Sequence, residues 1–260
     1  GASGQSLSGG GTVNLGAQTL TLTAARDTFN GAIQGTGGLT LSGGTETLTG
    51  TSGFTGPTTI QAGKLVINGS AANSATTVLS GGTLGGGGTV GATAIRSGGT
   101  VAPGNSIGTL HIAGDATFRP GSSYQVEAMP DGQADAIVAE GKVAILGGSA
   151  LVLAQTGNWA PQTDYTVLSA AQGLSGQFDS ARSSLTFLTP VLSYHANAVS
   201  LSLQRNDISF VSVTQTGNQG AVATVADSLG FGHSVYDALT TSDATIARPA
   251  FDQLAGALHP

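Results

Sequence analysis

Near copies of one tetrapeptide punctuate the early part of this chain. They are Leu7-Ser8-Gly9-Gly10, Leu41-Ser42-Gly43-Gly44 and Leu79-Ser80-Gly81-Gly82, with Arg96-Ser97-Gly98-Gly99 changed at its first position. Subtracting first positions gives steps of 34, 38 and 17, roughly two, two and one multiples of a unit of about 17–19 residues. Such a unit is too short for a helical repeat and suits one coil of a β-solenoid. Short alternating runs flank the copies. Leu20 and Leu22 alternate with Thr19, Thr21 and Thr23, and the pairs Leu39/Leu41 and Leu65/Ile67 repeat the pattern. Alternation sends the leucines to one face of a strand and the threonines to the other. In a coiled sheet the apolar face turns to the axis. The paired glycines then make the corners, because glycine accepts a positive φ without a Cβ clash.

Composition supports many turns between many strands. Glycine supplies 42 of the 260 residues, about twice its usual share. Only 8% of residues are charged, yet 39% are hydrophobic, which separates the chain from disordered sequences. With 8 Lys and Arg and a net charge of −6, no basic face for nucleic acid can be assembled. No apolar run reaches the length of a membrane helix. There is no cysteine, so disulfides and thiolate metal sites are excluded. The chain opens at Gly1 without a signal peptide and is expected to be a processed or cloned fragment.

The texture changes after about residue 115. Arg119-Pro120-Gly121-Ser122 reads as a turn, with Tyr124 and Val126 alternating after it. Glu140-Gly141 separates Ala136-Ile137-Val138 from Val143-Ala144-Ile145, and His195-Ala196-Asn197-Ala198 separates Leu192-Ser193-Tyr194 from Val199, Leu201 and Leu203. These pairs are expected to be antiparallel hairpins. Large aromatics collect here, and each buries much area. The expected core of this block is Trp159, Tyr165, Phe178, Phe187 and Tyr194. From about residue 217 helical spacing takes over, through Ala221, Val222, Val225 and Leu229, then Tyr236 and Leu239, then Phe251, Leu254 and Leu258. Pro249 is expected in the first turn of the last helix.

Motifs that resemble catalytic or ligand-binding patterns read as structure in context. Gly104-Asn105-Ser106-Ile107-Gly108 matches a nucleophile elbow by letter, but strand-like residues follow it where that motif needs a helix. It is expected to be a coil corner, as is Gly85-Gly86-Gly87-Gly88, whose overlap with a dinucleotide fingerprint through Gly91 lacks a following helix. His111, His195, His233 and His259 lie far apart and are expected at the surface or in turns. Asp131 and Asp135 flank Gln133 in what reads as a solvated turn rather than a calcium loop. Asp27 and Glu46 are the only acids before Leu110. Their spacing of one repeat unit could set them on adjacent coils, a thin basis for a carboxylate pair. The chain is therefore expected not to be an enzyme and to need no cofactor or metal.

Four stretches resemble the autotransporter family. Gly98-Gly99-Thr100-Val101-Ala102-Pro103-Gly104-Asn105-Ser106-Ile107-Gly108-Thr109-Leu110 resembles a signature near the end of the passenger stalk. Leu48-Thr49-Gly50-Thr51-Ser52-Gly53-Phe54-Thr55-Gly56-Pro57-Thr58-Thr59-Ile60, closing on Gly63-Lys64-Leu65, is similar to the passenger-associated transport repeat, with Phe54 where that family usually has Tyr. Tyr124-Gln125-Val126-Glu127, Asp135-Ala136-Ile137 and Gly176-Gln177-Phe178-Asp179 are similar to the autochaperone region. The tail through Phe251-Asp252-Gln253-Leu254 is similar to the segment leading into an outer-membrane barrel, although the family's Glu is missing from Ala255-Gly256-Ala257-Leu258-His259.

The resemblance implies an all-β fold: a right-handed parallel β-helix with a β-rich autochaperone cap and a short helical tail. Its expected parts are a stalk over 1–98 (the transport repeat at about 35–67), an autochaperone region over 99–205 and a helical linker over 206–260. It implies export through the outer membrane of a Gram-negative bacterium to the cell surface or medium. The expected role is to nucleate folding, cap the stalk and drive translocation, with the protein's own barrel as partner. The alternatives left open are an adhesive surface for host cells or for another copy of the chain, and a carrier stalk for a protease or esterase domain upstream.

Overall fold

The computed structural model describes residues 1–155 and 162–256. Its short strands wind into three-sided coils. One coil runs through Thr58–Ile60, Gly63–Ile67 and Ser70–Ala71, and the next through Thr76–Val78, Gly82–Gly86 and Thr89–Val90. Each side pairs with the same side of the next coil. One nine-stranded sheet therefore runs from Ala2–Gly4 to Leu174–Gly176, and an eight-stranded sheet from Thr28–Phe29 to Ser180–Ser183. A seven-stranded sheet forms the third side from Ser70–Ala71 onward, and Thr12–Asn14 paired with Ala32–Gln34 precedes it. This is a parallel β-helix.

The leucine–threonine alternation builds it. Leu22, Leu41, Ile60, Val78, Ile95, Phe118 and Ile145 are in register on successive coils and all lie in the core. Each such side chain contributes about 1.5–3 kcal/mol by leaving water. Thr21, Thr40, Thr59 and Thr77 form the neighbouring column, which faces outward. Glycine is indispensable where coils pass closest. Gly50, Gly69 and Gly88 recur at equal steps, one per coil. A Cβ on Gly69 would lie 2.1 Å from the Gly50 carbonyl oxygen, and one on Gly88 would lie 2.2 Å from that of Gly69.

The tetrapeptide copies are less equivalent than their letters. Gly81 and Gly98 do turn corners at positive φ, and the Gly81 N–H donates to the Gly98 carbonyl at 3.0 Å. Yet Leu41 is buried in a strand, whereas Leu79 lies just past its strand and is half-buried. Gly9 bridges to Phe29, which pairs with Leu48, so the first copy sits on a different side of the coil. The run Gly85-Gly86-Gly87-Gly88 is also only half corner, because Gly85 and Gly86 end a strand.

Register also shows how the coils change in size. Ala2, Leu20, Leu39, Thr58, Thr76 and Thr93 are partners on successive coils and follow one another at nearly even spacing. The next partners in the column are Ala116, Val143 and Leu174, and each step is longer than the one before. The later coils are wider, and aromatic rings fill them. The expected hairpin across Glu140-Gly141 is not formed. Ala136–Ala139 and Val143–Ile145 belong to different sheets and pair in parallel with other coils. Arg119-Pro120-Gly121-Ser122 is likewise a corner within a coil. Each apolar run finds a better partner one coil away than across its own turn. Antiparallel strand ladders form only at the end, although isolated antiparallel bridges join Gly86 to Gly104 and Ala128 to Ala134. Gln162–Ala170 pairs in parallel with Ala136–Ala139 on one edge and antiparallel with Ala198–Arg205 on the other. Leu188–Tyr194 completes that expected hairpin.

Three helices follow: α1 (Gly217–Leu229), α2 (Ser234–Thr240) and α3 (Ala244–Leu254). Thr216 caps α1 by accepting from the Gln219 N–H, and Asp243 caps α3 by accepting from Thr245 and Ile246 N–H groups. That cap starts α3 early, so Pro249 lies inside the helix rather than in its first turn.

Candidate functional site: the aromatic end of the stack

Two aromatic clusters occupy the wide end. In the first, the Phe118, Tyr124 and Phe178 rings form a triangle with centroids 5.9, 5.1 and 6.1 Å apart. Phe118 and Tyr124 stand on successive sides of one coil, and Phe178 enters from the last coil, 7% exposed. The Phe118–Phe178 pair meets edge to face, an arrangement worth about 0.5–1.5 kcal/mol beyond burial. The phenols tie coils together. Tyr124 donates to the Val167 carbonyl, Tyr165 donates to that of Met129 at 2.6 Å, and Tyr194 accepts from the Phe178 N–H at 3.0 Å. Burial pushes all three phenols up, so they remain neutral.

The second cluster joins coil to helices. Phe187 lies edge-on to Phe210, with centroids 4.9 Å apart, and Tyr236 is 5.2 Å from Phe210. The Arg205 guanidinium sits 5.3, 5.0 and 5.8 Å from the three ring centroids and 3.8 Å from Asp227, combining cation–π attraction with an ion pair. Phe251 and Ala247 of α3 and Ala223 and Ala226 of α1 close over it. The helices are thus packed on the end of the stack.

The residues expected to form one core divide between these clusters. Phe178 and Tyr165 are in the coil core, Tyr194 packs against it half-buried, and Phe187 belongs to the helix-facing group. Trp159 lies outside the described residues. Phe118, Tyr124, Phe210 and Arg205 complete the clusters and stand outside the expected core. Phe118 and Tyr124 carry a usable signal in the sequence, since both continue apolar columns of the stack.

Asp135 overturns its reading as a solvated turn. It is 2% exposed and accepts from the Gly108 N–H at 2.8 Å and the Glu127 N–H at 2.9 Å. It thereby pins the Gly104–Gly108 segment where the coils begin to widen. Burial is the main cause that lifts its carboxyl to about 7; the two backbone N–H groups and Lys64 pull it down, while Glu127 adds to the rise. Asp131 stays in an exposed turn with Gln133. Ser106 is exposed, and a strand, Thr109–Ile112, follows its loop. His111, His195 and His233 are exposed, and His259 lies outside the described residues. Among the described residues no group of three or more His, Asp or Glu could hold a metal ion.

The fold and this end define a parallel β-helix finished on one side by an antiparallel hairpin and a helical cover. Comparison with known proteins adds a context. The chain is 38% identical over 181 residues, covering 66% of its own length, to an extracellular serine protease of Serratia marcescens. It is 32% identical over 139 residues, half its length, to another protein of that name from the same organism. It spans 17% and 13% of those relatives' lengths. No family profile matches the chain. These names overturn the expectation that the chain is not an enzyme, since the proteins it resembles are named as proteases. Composition and local motifs lead to that expectation because they describe this stretch alone, whereas the relatives are several times longer.

Proposed function

We propose that the chain is the stalk and folding seed of an exported, extracellular serine-protease-type autotransporter passenger. The wide, aromatic end folds first and templates the narrower coils toward Gly1. A solenoid coil draws its stability from its neighbours, so the array needs one self-sufficient unit before others can add. The carrying observation is the asymmetry of the two ends. The early coils are held mainly by aliphatic columns, with Phe29 and Phe54 the only phenyl rings before Phe118. The last coils hold the aromatic triangle, the interlocking phenols and an antiparallel closure that covers a sheet edge. On this reading residues 99–205 act as the autochaperone region, and folding outside the cell biases passage through an outer-membrane barrel.

The similarity to extracellular serine proteases supports a passenger context and export. It also favours carriage of a protease portion over adhesion. Pulse-labelled hydrogen exchange during refolding tests the order. Amides between positions 116 and 203 are expected to gain protection before those between 20 and 95. Protection that arises simultaneously, or first in the early coils, overturns the proposal.

A further inference from the structure

A buried acid lies in the early coils, far from the aromatic clusters. Thr45-Glu46-Thr47-Leu48 alternates, so Glu46 shares the inward face with Leu48, and it is 0% exposed. Its register partner is Leu65 on one side. On the other side Thr28 pairs with Thr47, which sets Asp27 against Glu46 one coil away, about 4.8 Å along the stack. The Glu46 Oε2 accepts from the Ser6 hydroxyl at 2.8 Å and the Leu7 N–H at 3.2 Å. Ser6 Oγ in turn accepts from the Arg26 and Asp27 N–H groups. Glu46 thus fastens the first segment across two coils. Its Oε1 is buried, with no hydrogen-bond partner among the described residues.

We infer that Glu46 is held as an uncharged acid inside the early coils, and that its ionisation is relieved by opening the Ser6–Leu7 strap, making that strap a pH-sensitive fastening. A carboxylate here has one oxygen without a donor and a second acid on the adjacent coil. Both penalties are large in an apolar interior. Asp27 is the charged group facing it. Lys64, on the neighbouring strand Gly63–Ile67, and Arg26, in the segment before Thr28–Phe29, take outward positions in the alternation. The Glu46 carboxyl is pushed up chiefly by burial, with Asp27 adding to the rise, against the pull of Ser6 and Leu7. A raised acid stabilises the folded form at low pH and loses that contribution as pH rises through its folded value. The segment that yields is Ser6–Leu7, which is half-buried and held to Glu46 by two hydrogen bonds.

Hydrogen exchange of the whole chain at pH 5 and pH 8, corrected for intrinsic rates, reads this directly. Amides of residues 2–30 are expected to lose protection several-fold at the higher pH, while those of 116–203 serve as the internal reference. In Glu46→Gln the early amides should show equal protection at both pH values. Asp27→Asn, which keeps Glu46 but removes the facing charge, should shrink the difference. Unchanged wild-type protection, or a full pH effect in Glu46→Gln, overturns the inference. So does restoration of protection at pH 8 by millimolar calcium, since a cation rather than a proton would then neutralise the site.

Discussion

Phe178→Ala against Phe29→Ala separates a folding seed from a merely stable end. Both rings are buried, at 7% and 3% exposure, but they lie at opposite ends of the stack. A phenylalanine buries roughly 150–200 Å², which at about 25 cal/mol per Å² gives about 4–5 kcal/mol, within the range of about 3–5 kcal/mol for Phe→Ala. Phe178 also loses its contacts with Phe118 and Tyr124, so its cost belongs at the upper end. The kinetics should differ more than the equilibrium. If the aromatic end is formed in the transition state, with a φ of about 0.7, a loss of about 4 kcal/mol slows refolding about a hundredfold. Phe29→Ala should refold at close to the parent rate and unfold faster. Stopped-flow refolding from guanidinium measures both, and Phe178→Leu supplies a gentler truncation if the alanine variant does not fold. Equal slowing by both substitutions, or parent-like refolding of the Phe178 variants, would refute the reasoning.

Other perturbations probe single features. Gly69→Ala places a Cβ 2.1 Å from the Gly50 carbonyl oxygen, so denaturant melts should show a loss of at least about 1–3 kcal/mol as the coils are forced apart. Asp135 rises from its ordinary 3.8 to about 7, so its stabilising contribution is complete below about pH 4 and is lost as pH rises through about 7, a total of about 4 kcal/mol. Asp135→Asn should flatten that pH dependence in guanidinium melts of the late coils. Phe251→Ala removes a fully buried ring from the helix-facing cluster. It should cost about 3–5 kcal/mol locally, read as lost helix signal and exchange protection in α1 and α3 while the β signal persists.

The coil is legible because its causes are local and repeated. Alternating Leu and Thr orient each strand whatever it pairs with, and their return at nearly constant spacing demands a stack. Glu46 is half-legible: its spacing of one repeat unit from Asp27 already sets the two acids on adjacent coils, but that it is dry is decided only when the neighbouring coils enclose it. The evenly spaced glycine column is visible in the letters as well, though only the 2.1 Å approach at Gly69 gives it meaning.

The partner of each strand is not legible. Ala136–Ala139 and Val143–Ile145 have the composition of a hairpin, yet Ala136 pairs with Thr109 and Val143 with Ala116, each on an earlier coil. Asp135, set in a turn-like run of Asp, Gly and Gln, reads as solvated until Gly108 and Glu127 close on it. The aromatic residues likewise divide into two clusters because Arg205 and α1 to α3 draw Phe187 away from Phe178. Side-chain alternation and corner chemistry are properties of a few consecutive residues, so the chain alone dictates a β-helix. Which groups end up dry, charged or facing one another depends on segments brought together across a coil, and that is decided only when the stack has closed.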